Sequence, residues 1–324
     1  MGLGYGEKVH IPAFQRHPKF RVTAVCGRSA KKAERLRKKY DIARSYHDWR
    51  GLIRDKDVQC VSIATPPDVQ PKIAIAALKQ KKAVFCEKPL AMDAREARRM
   101  WRAARSNQMP HAVDFEFPEL PEWRKAKRFI DNGFIGKLRR IRVLWGIKAS
   151  RSSAKKSWKS SASRGGGVLH YYLSHTFHYL EWFAGPIREI FFASGPSARL
   201  AARFKNGTEA RVLVTNGAGA PQEHRLDFYG DKGALVLEGT EFSKKKFSLR
   251  AVSNLTGKSV ALLKESAPNF DGGIESMVRI ADRLAAWILK GRPCVPNFEE
   301  GVRVQALIEA ALRSNRRHRW IKIK

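Results

Sequence analysis

The sequence predicts an α/β chain of two domains: residues 1–112 carry a parallel, doubly wound sheet, and residues 113–324 an α+β body around a large, mostly antiparallel open sheet. Three observations carry that expectation. Strand and helix signals alternate between residues 20 and 112, as they do in βαβ units. After residue 113 strand signals follow one another without intervening helices, which points to antiparallel pairing. Between them the apolar run Ala83-Val84-Phe85-Cys86 stops abruptly at Glu87-Lys88-Pro89. A buried parallel strand that ends this way delivers its last side chains to the carboxyl edge of the sheet, where open α/β folds bind ligands. Lys88 is therefore the first candidate functional residue.

In chain order, Gly2, Gly4 and Gly6, with Tyr5 between the last two, read as the glycine turn of a dinucleotide site running into a first helix. Small residues there let backbone N–H groups approach a pyrophosphate. Glu7 takes the third position of that fingerprint, with Gly6 one residue early, and only Met1 precedes Gly2. No strand precedes this turn in the sequence, so either the chain begins upstream of Met1 or it tolerates an incomplete sheet whose neighbours have unpaired backbone groups. Residues 20–26, 58–64 and 83–86 read as short strands, 29–40 as a basic helix and 69–79 as an alanine-rich one. Asp93 opens a further helix with Glu96 three residues on, a capping box that uses aspartate.

In the second half, residues 122–132 read as a helix ended by Gly133, 138–148 as a strand, 151–167 as a basic Ser/Gly-rich loop and 168–184 as a helix. Strands are expected at 187–193, 198–204, 209–215, 225–229 and 234–237, with closing helices at 272–289 and 298–314. On the 168–184 helix, Leu173, Phe177, Leu180 and Ala184 share one face, while Tyr171, His175 and His178 line the other. Such a face suits proton transfer, histidine near neutral pH and tyrosine where a cation such as Lys88 lowers its pKa. The plainer alternative is polar surface. No carboxylate or cysteine stands at ligand spacing nearby, so no metal is expected.

Composition sets the remaining bounds. Lys and Arg number 63 against 30 Asp and Glu, a formal charge of +33 that attracts phosphate cofactors, acidic substrates or nucleic acid. The cations are spread through most helices, which favours solvated faces and counts against nucleic acid, although clusters remain at 151–159, 244–246 and 313–324. No apolar run approaches the ~20 residues of a membrane span, and the N-terminus lacks the basic and apolar regions of a secretory signal. A cytoplasmic protein is the expectation. Cys26, Cys60 and Cys86 lie in or beside apolar runs and read as small buried hydrophobes of a reduced compartment.

Five segments recur in a familiar order: Gly2-Leu3-Gly4-Tyr5-Gly6 with His10 and Pro12, Ala64-Thr65-Pro66-Pro67, Glu87-Lys88-Pro89, Gly133-Phe134-Ile135-Gly136-Lys137-Leu138, and Gly165-Gly166-Gly167 with His175. Together they resemble the Gfo/Idh/MocA family of NAD(P)-dependent oxidoreductases. The resemblance implies an N-terminal Rossmann domain and a C-terminal domain whose open sheet often mediates homo-oligomers. It also implies hydride transfer between the cofactor and a sugar, polyol or related hydroxyl or carbonyl compound. Cofactor contacts fall to Gly2, Gly4, Tyr5, Gly6, Ala64, Thr65, Pro66, Pro67, Glu87 and Lys88, with Lys88 also touching the reacting group and His175 as the acid/base.

The chain departs from the family pattern at Tyr171, where an aspartate is common, at Leu173 for a glycine, at His178 for an acid, and at Gln70 for a histidine. Tyr171 can replace the aspartate as a hydrogen-bond partner of His175 but not as a carboxylate. After the second strand the chain reads Gly27-Arg28-Ser29-Ala30-Lys31-Lys32, without an acid. Arg28, Ser29 and Lys32 at a helix start would welcome a 2′-phosphate, which argues for NADP over NAD. The expected substrate is a small anionic or polyhydroxylated molecule, with the 151–159 loop as its rim. A non-catalytic NADP-binding sensor or a basic nucleic-acid-associated protein is the alternative.

Overall fold

The computed structural model describes residues 1–148, 166–217, 219–241, 245–253, 259–263 and 271–323. The basic loop at 151–159, Gly165 and Lys244 lie outside the described residues. The chain forms two compact units, one built from residues 1–116 and 273–306, the other from the described parts of 117–272 and 307–324.

In the first unit a turn over Gly6–His10 leads into α1 (Ile11–Arg16), followed by β1 (Ala24–Cys26), α2 (Ala30–Lys39), β2 (Arg44–Tyr46), α3 (Trp49–Arg54) and β3 (Cys60–Ile63). Then come α4 (Gln70–Lys79), β4 (Ala83–Cys86), α5 (Ala94–Asn107) and β5 (His111–Val113). The helix starts follow local chemistry. The Ser29 hydroxyl accepts from the Lys32 N–H at 3.2 Å, and the Asp93 carboxylate accepts from the Glu96 N–H at 2.7 Å, as the capping pattern requires. All four residues of β4 are buried, in keeping with a parallel strand covered on both faces. The four cysteines form no disulfide, and burial pushes the Cys60 and Cys294 thiols up to about 12.

The parallel sheet is in two pieces, β1–β2 and β3–β4–β5. Between them Met1 and Gly2 close one end of a gap: the Met1 amine donates to Ser62 O at 2.5 Å, Ala64 N–H to Met1 O at 2.8 Å, and Gly2 N–H to Cys26 O at 3.1 Å. Behind them lies a cavity of about 830 Å³ walled by Ile11, Phe14, Val25, Leu52, Val58 and Val61. Among the described residues no strand lies in this slot, which has room for one parallel to β1 and β3. Gly2 has φ +90°, and a Cβ on it would stand 2.3 Å from Ala64 O, so only glycine fits.

The second unit opens with a helical turn at Phe117–Glu119, then α6 (Pro121–Asp131), β6 (Leu138–Lys148), α7 (Gly167–Tyr171) and α8 (Leu173–Ala184). Seven strands follow: β7 (Ile187–Ala193), β8 (Ser197–Phe204), β9 (Glu209–Gly217), β10 (Glu223–Gly230), β11 (Gly233–Glu241), β12 (Lys246–Ser253) and β13 (Ser259–Leu263). The chain closes with α9 (Gly272–Lys290), α10 (Phe298–Arg317) and β14 (Ile321–Lys322). The nine-stranded sheet runs β13-β12-β11-β10-β6-β9-β8-β7-β14, antiparallel throughout except for the β6–β9 pair. Alternation sorts its faces: Ile141, Val143 and Trp145 are buried, while Arg140 and Arg142 point the other way. Among the described residues no helix is long and apolar enough to cross a membrane.

The expected 168–184 helix is interrupted at Tyr172, which separates α7 from α8. Leu173, Phe177, Leu180 and Ala184 are buried as expected, but so are Ser174, His175, Thr176, Tyr179 and Phe183. The polar-face reading of His175 is therefore corrected, because α8 is enclosed around most of its circumference and its histidine sits among rings.

The slot makes a stability prediction. Fusing about five apolar β-branched residues ahead of Met1 should raise unfolding stability in urea by about 1–3 kcal/mol, the surplus of apolar burial over ordering entropy. A Gly/Ser extension of equal length should leave the midpoint where it is. Equal midpoints for the two extensions would show that the slot does not accept a strand.

Candidate active site

The carboxyl edge of the first unit's sheet gathers most of the sequence-predicted cofactor residues. Gly2 packs against Ala64, and the loop after β3 carries Thr65, Pro66 and a buried Pro67. One strand over, Glu87 N–H donates to Ile63 O at 2.9 Å, which sets the β4 end level with that loop. Lys88 follows, 8 % exposed. Gln70, where a histidine was the family expectation, holds this turn: its Nε2 lies 3.0, 2.9 and 3.3 Å from the carbonyl oxygens of Glu87, Pro89 and Leu90. A buried amide bonded to backbone fixes the turn without adding charge. At Gly4 the position of a Cβ has no neighbour within 4 Å, so its backbone is open to approach.

Beside the glycine turn, Arg28 and Ser29 are exposed between β1 and α2. Lys32 stands 3.6 Å from the Glu7 carboxylate, which also meets Arg35 at 3.6 Å and Lys39 at 3.3 Å. The acid at the third fingerprint position is thereby tied to the basic helix.

Beneath the edge runs a buried polar network. The Tyr5 hydroxyl donates to Glu116 Oε2 at 3.1 Å. His10 bridges Ser62 Oγ (2.6 Å from Nδ1) and Glu87 Oε1 (2.9 Å from Nε2). Burial pushes His10 down to about 4, so it is neutral and gives its one N–H to Glu87 while accepting from Ser62. Burial, reinforced by the charges of Glu87 and Glu116, holds the Asp114 carboxyl well above the usual range and keeps a proton between Asp114 and Glu87. His10, Glu87 and Asp114 offer ligand atoms within 4.8 Å of one another. The shared protons account for that closeness as a hydrogen-bonded cluster. Sequence reasoning gave Asp114 and Glu116 no role; the available signal was two acids one residue apart in the apolar run 112–117.

In the second unit His175 lies on α8 with its ring edge-on to Phe117 at 4.9 Å and 6.2 Å from Trp145. Trp145 stacks on His224, its register partner across β6 and β10, at 4.1 Å and 8°. The Tyr179 hydroxyl reaches His224 Nε2 at 3.4 Å and Thr176 Oγ1 at 3.1 Å. Tyr171, half-buried at the end of α7, sets its ring edge-on to Tyr172 at 4.9 Å. Tyr171 and His175 thus sit on consecutive short helices, while Lys88 belongs to the first unit. Phe117, Trp145 and His224 were not anticipated, because each is an isolated ring in its own segment.

Comparison with known proteins gives this arrangement its context. Residues 1–115 match the oxidoreductase family with an NAD-binding Rossmann fold, and residues 123–236 match the GFO/IDH/MocA C-terminal domain. The chain belongs to the Gfo/Idh/MocA oxidoreductase family. It is 28% identical to an oxidoreductase of Synechocystis sp., over 100% of this chain and 95% of that protein. It is 29% identical to the levoglucosan dehydrogenase of Pseudarthrobacter phenanthrenivorans, over 59% of this chain and 51% of the relative. A levoglucosan dehydrogenase structure in complex with NADH and levoglucosan matches with a TM-score of 0.88 at 21% identity, covering 99% of this chain and 97% of that one, a likeness of fold. As a Gfo/Idh/MocA protein this chain is an NAD(P)-dependent oxidoreductase with a Rossmann domain and a large, mostly antiparallel C-terminal sheet.

Buried histidines give this family member a pH signature. Burial lowers His10 and His111 to about 4 and His224 to about 3, so below the ordinary histidine value the unfolded chain binds more protons than the folded one. Stability should rise with pH through the window from about 4 to 6.5, each such histidine adding up to roughly 1.4 kcal/mol per pH unit. Asp114, raised instead, acts with the opposite sign. Urea unfolding across that window should show a shallower slope for His224→Phe than for the parent chain; equal slopes would mean that His224 is charged in the folded state.

Proposed function

We propose that the protein transfers a hydride between NADP and a cyclic sugar, polyol or related hydroxyl or carbonyl compound, with Lys88 at the reacting oxygen and His175 as the proton carrier. The observation that carries this reading is the gathering of Gly2, the 64–67 loop and Glu87-Lys88 at one sheet edge, with Gln70 and the His10–Glu87 bond holding the lysine's turn from behind. The levoglucosan dehydrogenase relative supports a cyclic polyhydroxylated substrate.

The nicotinamide, when bound, supplies the hydride acceptor. Gly4 leaves the backbone accessible to the pyrophosphate beside the tight Gly2 turn, and Arg28, Ser29 and Lys32 take the 2′-phosphate. In the oxidative direction the substrate hydroxyl gives its proton to the His175 imidazole as the hydride leaves its carbon, and a carbonyl forms. The Lys88 ammonium stabilises the negative charge that develops on the oxygen, a site where a pre-placed cation is worth most. Tyr171 orients the imidazole through its hydroxyl in the role the family gives to a carboxylate.

Two measurements test the assignment. Lys88→Met and His175→Asn should each lower kcat by about 10²–10⁴-fold on a polyol panel while cofactor affinity changes little. A variant that kept the parent rate would remove its residue from the mechanism. Arg28→Asp should weaken NADPH binding by about tenfold or more and leave NADH binding within a few-fold, since a charge-assisted phosphate contact is worth about 1.5–3 kcal/mol. Equal losses for both cofactors would place Arg28 away from the 2′-phosphate.

A further inference from the structure

The second unit holds a cavity of about 210 Å³ that the oxidoreductase reading leaves unused. Aromatic rings of Phe117, Trp145 and Phe247 wall it, together with Lys148, Lys245 and Lys246. It is smaller than the roughly 300–1,000 Å³ typical of drug-sized ligands, a size suited to one sugar ring or part of one. The Phe117 ring that lines it also packs edge-on against His175 at 4.9 Å, so the cavity adjoins the proposed proton carrier.

Charge in this cavity is one-sided. Among the described residues its lining includes three lysines and no carboxylate. The acid opposite Lys246 is Glu241, paired with it at 3.2 Å across the β11–β12 ladder. His224, also in the lining, is held neutral by burial. Lys246 is only 5 % exposed, so its ammonium is largely withdrawn from water. Lys245 sits in the left-handed region, φ 51°, where glycine or asparagine would be relaxed, and this backbone places a second cation at the same wall. Cations set into an aromatic pocket with no acid in its lining favour a ligand with a flat apolar face and a negative group.

Resting on the oxidoreductase reading above, we propose that this cavity recognises a sugar acid: a cyclic polyol whose ring packs on the Trp145 and Phe117 wall and whose carboxylate is drawn in by Lys148, Lys245 and Lys246. The reaction is unchanged, and the carboxylate is a handle that fixes which hydroxyl faces His175.

The test is calorimetric titration of the full chain, with and without NADPH, using glucuronate, galacturonate and gluconate against the parent neutral sugars and glucose 6-phosphate. At low salt one of the acids should bind about tenfold or more tighter than its neutral parent, and about 0.5 M salt should erase that preference. Lys148→Gln and Lys245→Gln, both solvent-accessible changes, should each reduce it several-fold. Neutral sugars binding as tightly as the acids, or the phosphate ester binding tighter than any carboxylate, would overturn the proposal. Turnover of a neutral polyol with NADPH but no acid preference sinks this inference alone. An acid preference without cofactor binding or turnover upholds the anion site and sinks the oxidoreductase reading instead.

Discussion

Backbone hydrogen bonding at the carboxyl edge of β3 and β4 is the constraint from which the chemistry of the first unit follows. Three short parallel strands buried on both faces cannot leave their terminal N–H and C=O groups unpaired without a cost of about 1–3 kcal/mol each. Three backbone donors at this edge have backbone partners. Glu87 N–H goes to Ile63 O, Asp114 N–H to Cys86 O, and Ala64 N–H to Met1 O. These bonds place the glycine turn, the 64–67 loop and the Glu87-Lys88-Pro89 turn at one level. Gln70 then satisfies the carbonyls that the turn itself exposes. Rigidity at Lys88 is thus a by-product of sheet closure, and no loop contact has to provide it.

Under that edge, and again around His175, the structure relies on desolvation. Tyr5, His10, Asp114 and Glu116 form a cluster in which the histidine is kept neutral and one acid protonated. Low polarity strengthens each hydrogen bond in such a network and makes any missing partner costly. In the second unit His175 is buried beside the rings of Phe117 and Trp145, which in turn pack on Tyr179 and His224. In the role proposed for it, an imidazole among rings would exchange protons with its partners rather than with bulk water.

Most long periodic elements were legible in the sequence, although β12 and β13 were not, and several short ones were missed. The strands at 83–86 and 138–148 appear with the expected bounds, and α5 starts at the expected aspartate cap. β2, β5 and α3 escaped because three strand residues or six helical ones hold less than one repeat of any readable pattern. The glycine turn was legible because its signal is local. Lys88 drew attention as the charged end of an apolar run, and His175 through its place on a helix face and the family resemblance. The acids at 114 and 116 and the Trp145–His224 stack were not, because their meaning lies in pairings between distant strands that sequence distance hides. The polar-face reading of α8 failed for the same reason: rings from Phe117 and Trp145 cover a side that periodicity alone assigns to solvent.

Cofactor selectivity shows how a local reading gains from the fold. Counting residues after the second expected strand finds no acid near Arg28, Ser29 and Lys32, yet the fold returns one from elsewhere, because Glu7 in the glycine turn reaches Lys32, Arg35 and Lys39. Its effect on phosphate recognition depends on how firmly it is held. These pairs are 3.3–3.6 Å apart and their cations are 40–63% exposed, the regime in which an ion pair contributes about 0–1 kcal/mol. One carboxylate shared among three cations leaves the cluster positive, and weak pairs rearrange at little cost when a doubly charged phosphate competes for the same lysines and arginines. On the NADP reading proposed above, the Glu7 pairs are weak enough to give way to a 2′-phosphate, which carries more charge than a single carboxylate.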